Sequence, residues 1–551
     1  MGAPLIQKGK FDIPDVHAFV PRRLKPWIFI LFVIIFQLSG GVYMAVANNM
    51  MGATSLMHED IMMAGYASLI GMSLNFAVMF RLKFRFSLRT SLKTCSVALI
   101  ICNLICLHTT NVPLLVATCF VAGWFRMWGT FSCNTTIQLW ITPKRDMAEW
   151  FCFIYLIVQG SMQLDGIITV FTSFWASWRY IHWLVIGLLS GIFVFTTFLI
   201  RHHRSMPKLP LFGIDWLGSL MWGAFMMCIV FICLYGDHYD WWYSTHIRTA
   251  TLFAVVCLAI NLYRMKLLRH PYIAPIVLNN RIIIKTTILY LIIDFLISTE
   301  HVFEHAFSER ILGYDSIQAI SLNWYVLAGV VFSCAFCYIV FAKRRWSFRT
   351  MTTIGFSFAV IYLSYFYFFI DYNIDKQMLF IPLFFRGAAV VTCSICFLTA
   401  ISQAGLPFPN FAQALTINGF ASAVLGSTVG PAILGEIFEY TIKKNSMLIG
   451  SSMTAVNTQA THIPLEQLYG IVQQHAMIVS MKEIFGWMLM IALTMVIVLL
   501  LVSTDTIRPS AIHPKWSTVR KMFKKSLKIY NRLPIPFVRQ RLNTLNQDSE
   551  E

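Results

Sequence analysis

Residues 484–502 read IFGWMLMIALTMVIVLLLV and include no charged side chain. A helix needs about 20 mostly apolar residues to cross the hydrocarbon core of a bilayer, so this segment can span a membrane. The rest of the chain is similar: of its 551 residues, 57% are apolar and 12% are charged. Soluble domains contain about 25% charged residues. The composition therefore excludes a soluble globular protein and a disordered chain, and it indicates a polytopic membrane protein.

Apolar segments of this kind recur along the whole chain. Lipid offers no partners to backbone N–H and C=O groups, and α-helices satisfy these groups internally, so we predict an all-α fold. The ten-residue segments of alternating polarity that mark a membrane β-barrel do not occur in the sequence. We count fourteen spans, near residues 26–50, 60–80, 94–109, 113–140, 150–172, 178–200, 211–235, 246–265, 282–304, 318–341, 350–370, 378–402, 409–435 and 480–503.

The charges of the chain are unbalanced: 43 Lys and Arg against 25 Asp and Glu give a formal net charge of +18. With fourteen spans both termini lie on one side of the membrane, and most basic residues fall on that side, many of them in the tail 504–551. Cytoplasmic loops carry an excess of Lys and Arg, so we expect a protein of the bacterial inner membrane with both termini in the cytoplasm. The basic excess then reflects topology and contact with the lipid bilayer, and no nucleic-acid partner is expected.

Several short stretches occur in the order found in one transporter family. Asp215-Trp216-Leu217-Gly218 resembles the "DWLG" opening of that family's seventh span, and Arg386-Gly387 resembles an "RG" pair in its twelfth. Further similar stretches are 178–181, 235–242, 269–281, 312–316 and 473–476. The family is the EmrB/QacA-type drug:proton antiporter branch of the major facilitator superfamily, and the resemblance runs from about residue 178 to residue 490.

The resemblance implies a divergent member with two six-helix bundles, at 26–200 and 282–503, and two extra central helices at 211–265. Around them the sequence predicts a cytoplasmic arm at 1–25, a polar external loop with some helix at 436–480 and a basic cytoplasmic tail at 504–551. The implied function is secondary active transport, with proton-coupled efflux of amphipathic compounds or drugs. A periplasmic adaptor protein and an outer-membrane channel are the implied partners. The sequence has no P-loop, so an ion gradient is the expected energy source. We expect no enzyme activity, cofactor or resident metal.

The sequence departs from the family at positions tied to coupling. Gly40 stands where the family's first span usually carries an Asp, and residues 160–166 lack the Pro of its fifth-span motif. The basic loop 81–86 lacks the acidic partner that the family has there. The alternative function is therefore a carrier without proton coupling, or a lipid or metabolite transporter of the same fold.

Ionisable side chains inside apolar spans are the candidates for function, because an ionisable residue in hydrocarbon is unfavourable by about 2.5–3.5 kcal/mol on insertion scales. The proton-coupling candidates are Arg126, Asp165, Asp294, Glu300 and Glu304. Arg126 lies deep in the fourth span and needs an anion, for which Asp165 in the fifth span is a possible partner. The two residues could contact substrate or relay protons, or they could form a static buried ion pair.

The ninth span has the most unusual polar residues. Glu300 and Glu304, like His301 and His305, are four residues apart and so share a helical face. Carboxylates and imidazoles in one strip can pass protons. Alternatively, residues 300–310 are simply the polar outer end of the span. A remote alternative is an intramembrane metalloprotease, since His301, Glu304 and His305 match the H-x-x-E-H pattern of inverted zinc proteases.

A cavity between the two bundles is expected to hold the substrate near the middle of the membrane. The candidate cavity residues are Asn48, Asn49, Trp128, Gln163 and Arg386. Arg386 has a structural alternative, in which its guanidinium binds backbone carbonyls. A stripe of small residues in the thirteenth span allows close packing or a kink: Gly426, Gly430, Pro431 and Gly435.

Overall fold

A computed structural model of the chain describes residues 13–501, apart from 14, 145, 203–210, 212–213, 305, 373 and 453–463, together with residue 509. Within this part, thirteen helices are long and apolar enough to cross a membrane, and a shorter apolar helix precedes them. The predicted all-α polytopic fold is confirmed. We number the helices α1 to α14: Lys25–Leu38, His58–Arg85, Leu88–His108, Val112–Gln138, Met147–Trp175, Trp178–Leu199, Trp216–Tyr235, Thr245–Leu267, Arg281–Ile311, Ser316–Lys343, Phe348–Phe369, Lys376–Ser402, Asn410–Ser451 and Gln467–Leu501.

The first span is broken, although the sequence predicted it over residues 26–50. Helix α1 ends at Leu38, the chain turns at Gly41 with a φ of +91°, and short helices follow at Met44–Val46 and Ala47–Ala53. Glycine adopts a left-handed φ readily because it has no Cβ atom. The Gly41 turn therefore interrupts the segment that was predicted as one span.

The segment 436–480 was expected to be an external loop with some helix, and its described residues are almost all helical. Helix α13 continues to Ser451 and α14 begins at Gln467, and residues 453–463 between them lie outside the described part. A polar sequence predicts contact with water, but it does not distinguish a loop from a helix. A helix in water can be polar, because its backbone hydrogen bonds are satisfied internally. The predicted arm at 1–25 is described from residue 13 onward, apart from residue 14. The predicted tail at 504–551 lies outside the described residues except for residue 509.

Two hydrophobic clusters account for most of the packing. One runs through α1–α7 and includes Phe29 and Leu189, and the other runs through α9–α14 and includes Tyr290 and Phe485. We call α1–α6 the N-terminal half and α9–α14 the C-terminal half. A smaller apolar cluster of α5, α10, α11 and α12 joins the two halves.

Helices α7 and α8 form a pair beside the two halves. Helix α7 packs against α2 and α13, and its Tyr235 hydroxyl donates a hydrogen bond to Asp60 of α2. Asp215, which begins the DWLG stretch, accepts a hydrogen bond from the Gly218 N–H at 2.9 Å and so caps α7. The same carboxylate pairs with Arg264 of α8 at 2.5 Å. The DWLG stretch thus has a local structural role, because it starts α7 and ties it to α8.

Glycines set the closest helix contacts in both halves. A Cβ atom at Gly123 of α4 would lie 1.8 Å from the backbone oxygen of Ser68 in α2. A Cβ atom at Gly329 of α10 would lie 2.1 Å from the backbone oxygen of Phe384 in α12. Small residues let helix backbones approach closely in lipid, where packing drives association. The second and fourth helices of each half therefore meet in the same way.

Gly123→Ala is expected to destabilise the protein by about 1–3 kcal/mol, because its methyl group meets a backbone oxygen that cannot rotate away. The matched control is Gly187→Ala in α6, where a Cβ atom has no neighbour within 4 Å. Alanine at that position should be neutral, or stabilise the helix by up to about 1 kcal/mol. Thermal unfolding of both purified variants in detergent measures the difference. Equal unfolding midpoints would contradict the assigned α2–α4 contact.

Candidate functional site

A cavity of about 220 Å³ lies between the two halves. Helix α5 of the N-terminal half forms one wall, and α9, α10, α12 and α13 of the C-terminal half form the rest. Four residues predicted from the sequence line it: Gln163, Asp294, Glu300 and Arg386. Its other polar lining residues are Gln159, Ser298, His301, Ser422 and Ser427, and its larger apolar ones are Ile297, Val326, Val330, Val390 and Val391.

Arg386 of α12 is held by two carboxylates of α9. Its guanidinium forms ion pairs with Glu304 and with Glu300, the second at 3.1 Å between Nη2 and Oε1. Glu304 also accepts a hydrogen bond from the Tyr362 hydroxyl at 2.8 Å. The Arg386 side chain is 5% exposed and that of Glu300 is 33% exposed, so the cluster extends from the interior to the cavity. Arg386 is therefore bound by carboxylates. The alternative considered from the sequence was that it binds backbone carbonyls.

The local geometry of α9 turns both glutamates to the same side. Glu300–Glu304 is π-helical, and such wide turns occur frequently at functional sites. The four-residue spacing is enough to predict from the sequence that the two glutamates form a pair. Their partners Arg386 and Tyr362 were not predicted, because Arg386 is 82 residues away from Glu304 along the chain and only the packing of α9 on α12 joins them.

Asp294 lies deeper in α9, against the small-residue stripe of α13. A Cβ atom at Gly426 would lie 2.6 Å from the Cβ atom of Asp294, and one at Gly430 would lie 2.7 Å from the Oγ atom of Ser298. Gly426 and Gly430 therefore form a close-packing surface for the polar face of α9, whereas a Cβ atom at Gly435 would have no neighbour within 4 Å. The Ser422 hydroxyl lies close to the Asp294 carboxyl group, but the Oδ2 atom of that group is buried and has no hydrogen-bond partner in the described part of the chain. A buried carboxylate oxygen without a partner is unfavourable unless it takes a proton or a ligand.

The cavity is closed toward the face of the protein at which α1 begins. Tyr155 of α5 and Tyr290 of α9 share a hydrogen bond of 3.1 Å between their hydroxyl oxygens. The apolar cluster that joins α5 to α10, α11 and α12 continues this closure. Two ion pairs then link the halves at the same face: Asp146 with Arg345, and Glu149 with Lys343. At the other end of the cavity, the side chain of His301 is exposed.

Arg126 of α4 is buried in the N-terminal half, outside the cavity lining. Its Nη2 donates to Gln37 Oε1 of α1 at 3.0 Å, and its Nη1 lies 3.3 Å from where a Gly40 Cβ atom would be. Asp165 of α5 is near enough to interact electrostatically, but no ion pair within 4 Å joins these two described residues. Asp165 instead accepts a hydrogen bond from Thr169 at 3.2 Å. The direct partner of Arg126 is Gln37, which sequence analysis missed because its amide is uncharged.

Three predicted cavity residues lie away from the cavity. Trp128 is 4% exposed and contacts three aromatic rings, those of Phe86, Trp124 and Phe125. Asn48 is exposed, and Asn49 donates a hydrogen bond to Ser173 of α5 at 2.7 Å. The two asparagines lie away from the cavity because the first span is broken. They belong to the short helix Ala47–Ala53 and not to α1.

The glutamate of the H-x-x-E-H pattern, Glu304, already has two side-chain partners. Glu304 binds Arg386 and Tyr362, as described above. The described residues contain no group of three or more His, Cys, Asp or Glu side chains that could hold a metal ion. His305 lies outside the described residues. In the described part of α9, the pattern therefore contributes to an ion-pair cluster.

Comparisons with known proteins bear on the fold. No family model matches the sequence, and no curated protein matches it. A solved structure of a point mutant of the peptide transporter POT, in complex with sulfate, is similar with a TM-score of 0.51 and 13% sequence identity, over 88% of this chain and 97% of that chain. A point mutant of the nucleoside transporter NupG gives a TM-score of 0.47 and 12% identity, over 84% of this chain and 99% of that chain. The likeness to the POT structure shows that this chain shares its fold, and the apolar helices of the described residues indicate an integral membrane protein.

Proposed function

We propose that this chain is a secondary active transporter of the bacterial inner membrane, which couples efflux of small amphipathic compounds to proton entry. The observation that carries the proposal is the cavity between the halves, where Asp294, Glu300 and Arg386 face one space. Ionisable groups within a membrane protein usually mark substrate or proton pathways. Carriers with this kind of architecture bind substrate and coupling ion near the middle of the membrane, at the interface between their repeats.

Asp294 is the proposed proton carrier, because its Oδ2 atom is buried without a partner among the described residues. A protonated carboxyl group is neutral and can stay packed against Gly426 while the halves move. An ionised one needs a positive charge or a hydrogen-bond donor beside it. Glu300 is proposed to take part through Arg386, whose guanidinium it shares with Glu304. Arg126 and Asp165 are proposed as a second coupling group in the N-terminal half.

In the proposed orientation both termini are cytoplasmic. The face closed by the ion pairs Asp146–Arg345 and Glu149–Lys343 is then the cytoplasmic face, and His301 lies toward the periplasm. A compound released on that side enters the periplasm, where the adaptor protein and outer-membrane channel implied by the family resemblance are proposed to receive it.

Purified full-length protein in liposomes with an imposed pH gradient tests the proposal. A panel of small amphipathic amines, alcohols and carboxylates is used, and protein-free liposomes correct for passive movement. A gradient of one pH unit corresponds to about 1.4 kcal/mol, so exchange of one proton per compound is expected to drive about tenfold accumulation. An entrapped pH-sensitive dye measures the accompanying proton movement.

Two results would contradict the proposal in different ways. Protein-dependent movement that is equally fast with and without the gradient would remove proton coupling and favour the alternative carrier. A panel in which no compound moves faster than in protein-free liposomes would contradict transport of amphipathic compounds. A protonophore serves as the control, since it should abolish accumulation only if protons drive it.

A further inference from the structure

We infer that the transported compound is a small primary amine carried as its ammonium ion. This inference rests on the proposed transport function and names its substrate class. The charge of the cavity lining favours a cation. Asp294 and Glu300 line the cavity, and Arg386 is the one Lys or Arg among its described lining residues. Because Arg386 also binds Glu304, carboxylates outnumber the guanidinium, and a positively charged ligand offsets this excess.

Hydrogen bonding supports an N–H donor as the ligand group. The Oδ2 atom of Asp294 is a buried acceptor without a partner in the described part of the chain, whereas both Nη atoms of Arg386 are already paired with carboxylates. An ammonium group has three donors and no acceptor, so it fits a site with a free carboxylate oxygen. A ligand carboxylate would have to displace Glu300 or Glu304, which would leave that glutamate without its cation. A quaternary ammonium group has no N–H to donate.

The shape of the cavity limits the rest of the molecule. Val326 and Val330 of α10 and Val390 and Val391 of α12 line the cavity together with the polar residues of α9. The ligand therefore needs an apolar part next to its ammonium group. The volume of about 220 Å³ is below the range of about 300–1,000 Å³ that is usual for drug-sized ligands. A single ring or a short alkyl chain fits this space.

Four probes of similar shape separate charge from hydrogen bonding: phenethylammonium, its N,N,N-trimethyl analogue, 2-phenylethanol and phenylacetate. Binding to the purified full-length protein is measured by scintillation proximity with radiolabelled phenethylammonium, and the other three serve as competitors. A hydrogen bond to a charged group contributes about 1.5–3 kcal/mol, so phenethylammonium is expected to bind at least about tenfold more tightly than each competitor. Asp294→Asn should remove most of this preference. The control Asp371→Asn, at an exposed position between α11 and α12, should keep it.

Transport of the same probes distinguishes failure of this inference from failure of the function beneath it. Protein-dependent, gradient-driven movement of phenethylammonium alone supports both. Gradient-driven movement of 2-phenylethanol or phenylacetate, or equal binding of the trimethyl analogue, overturns the primary amine and leaves the transporter intact. If neither these probes nor the wider panel move, the transport function fails and the inference fails with it. The probe series is measured on the unmodified protein, so its outcome does not depend on the folding of a variant.

Discussion

Asp294→Asn is expected to abolish protein-dependent, proton-driven accumulation, reducing it from about tenfold per pH unit to the level in protein-free liposomes under the same gradient. An amide cannot take up or release a proton at physiological pH, so the proposed exchange loses its carrier. Asparagine has nearly the volume of aspartate, and it can occupy the same place against Gly426. The variant should therefore fold, and a loss of coupling can be separated from a loss of protein.

The measurement compares accumulation and proton movement in liposomes that contain Asp294→Asn, Asp371→Asn or the unmodified protein. Asp371→Asn is the matched control because it makes the same chemical change at an exposed site. Gel filtration of each variant confirms that it is intact. If Asp294→Asn keeps full accumulation, the assignment of the proton to Asp294 is wrong, and Asp165→Asn becomes the variant to measure next.

Arg386→Gln is expected to produce the largest loss of stability. Removing one partner of a buried ion pair destabilises a protein by about 3–5 kcal/mol, because the remaining charge is left without compensation. Here two carboxylates, Glu300 and Glu304, would be left on one turn of α9. Glu300 is 33% exposed, and solvent screens its charge, so most of the effect is expected from Glu304.

The double variant Arg386→Gln with Glu304→Gln tests this cause. Removing both charges should recover most of the lost free energy of unfolding, because residues in one network are not additive. Unfolding of the single and double variants in detergent gives the interaction free energy between Arg386 and Glu304. Arg310→Gln, at an exposed position of α9, is the control and should change stability by less than about 0.5 kcal/mol. Additive losses in the double variant would mean that the ion pair contributes little.

Most of the helices could be predicted from the sequence alone. The predicted segment 60–80 lies within the helix His58–Arg85, and the segment 350–370 nearly coincides with Phe348–Phe369. Length and apolarity suffice for such segments, because lipid leaves the backbone no alternative to a helix. The break at Gly41 was not predicted, since it depends on one backbone angle. Some helix was predicted in 436–480, but its extent was not, since a polar helix leaves no apolar signal in the sequence.

Only part of the candidate site could be predicted from the sequence. Asp294 and Glu300 could be singled out, because ionisable residues in apolar spans are rare and unfavourable. Trp128 and Asn48 were selected for the cavity on approximate depth in the membrane, and neither is among the residues that line it. Depth along a helix can be estimated from sequence position, but the direction in which a side chain points depends on the neighbouring helices.

The sequence by itself determined that the chain is helical, crosses the membrane many times and carries few buried charges. These properties follow from composition and local apolarity, which act on each segment separately. Only the tertiary structure decided that Arg386 pairs with Glu300 and Glu304, and that the Asp294 Oδ2 atom has no partner in the described part of the chain. Such contacts join residues on different helices. They are set by how closely glycines such as Gly426 let those helices approach, which no single segment specifies.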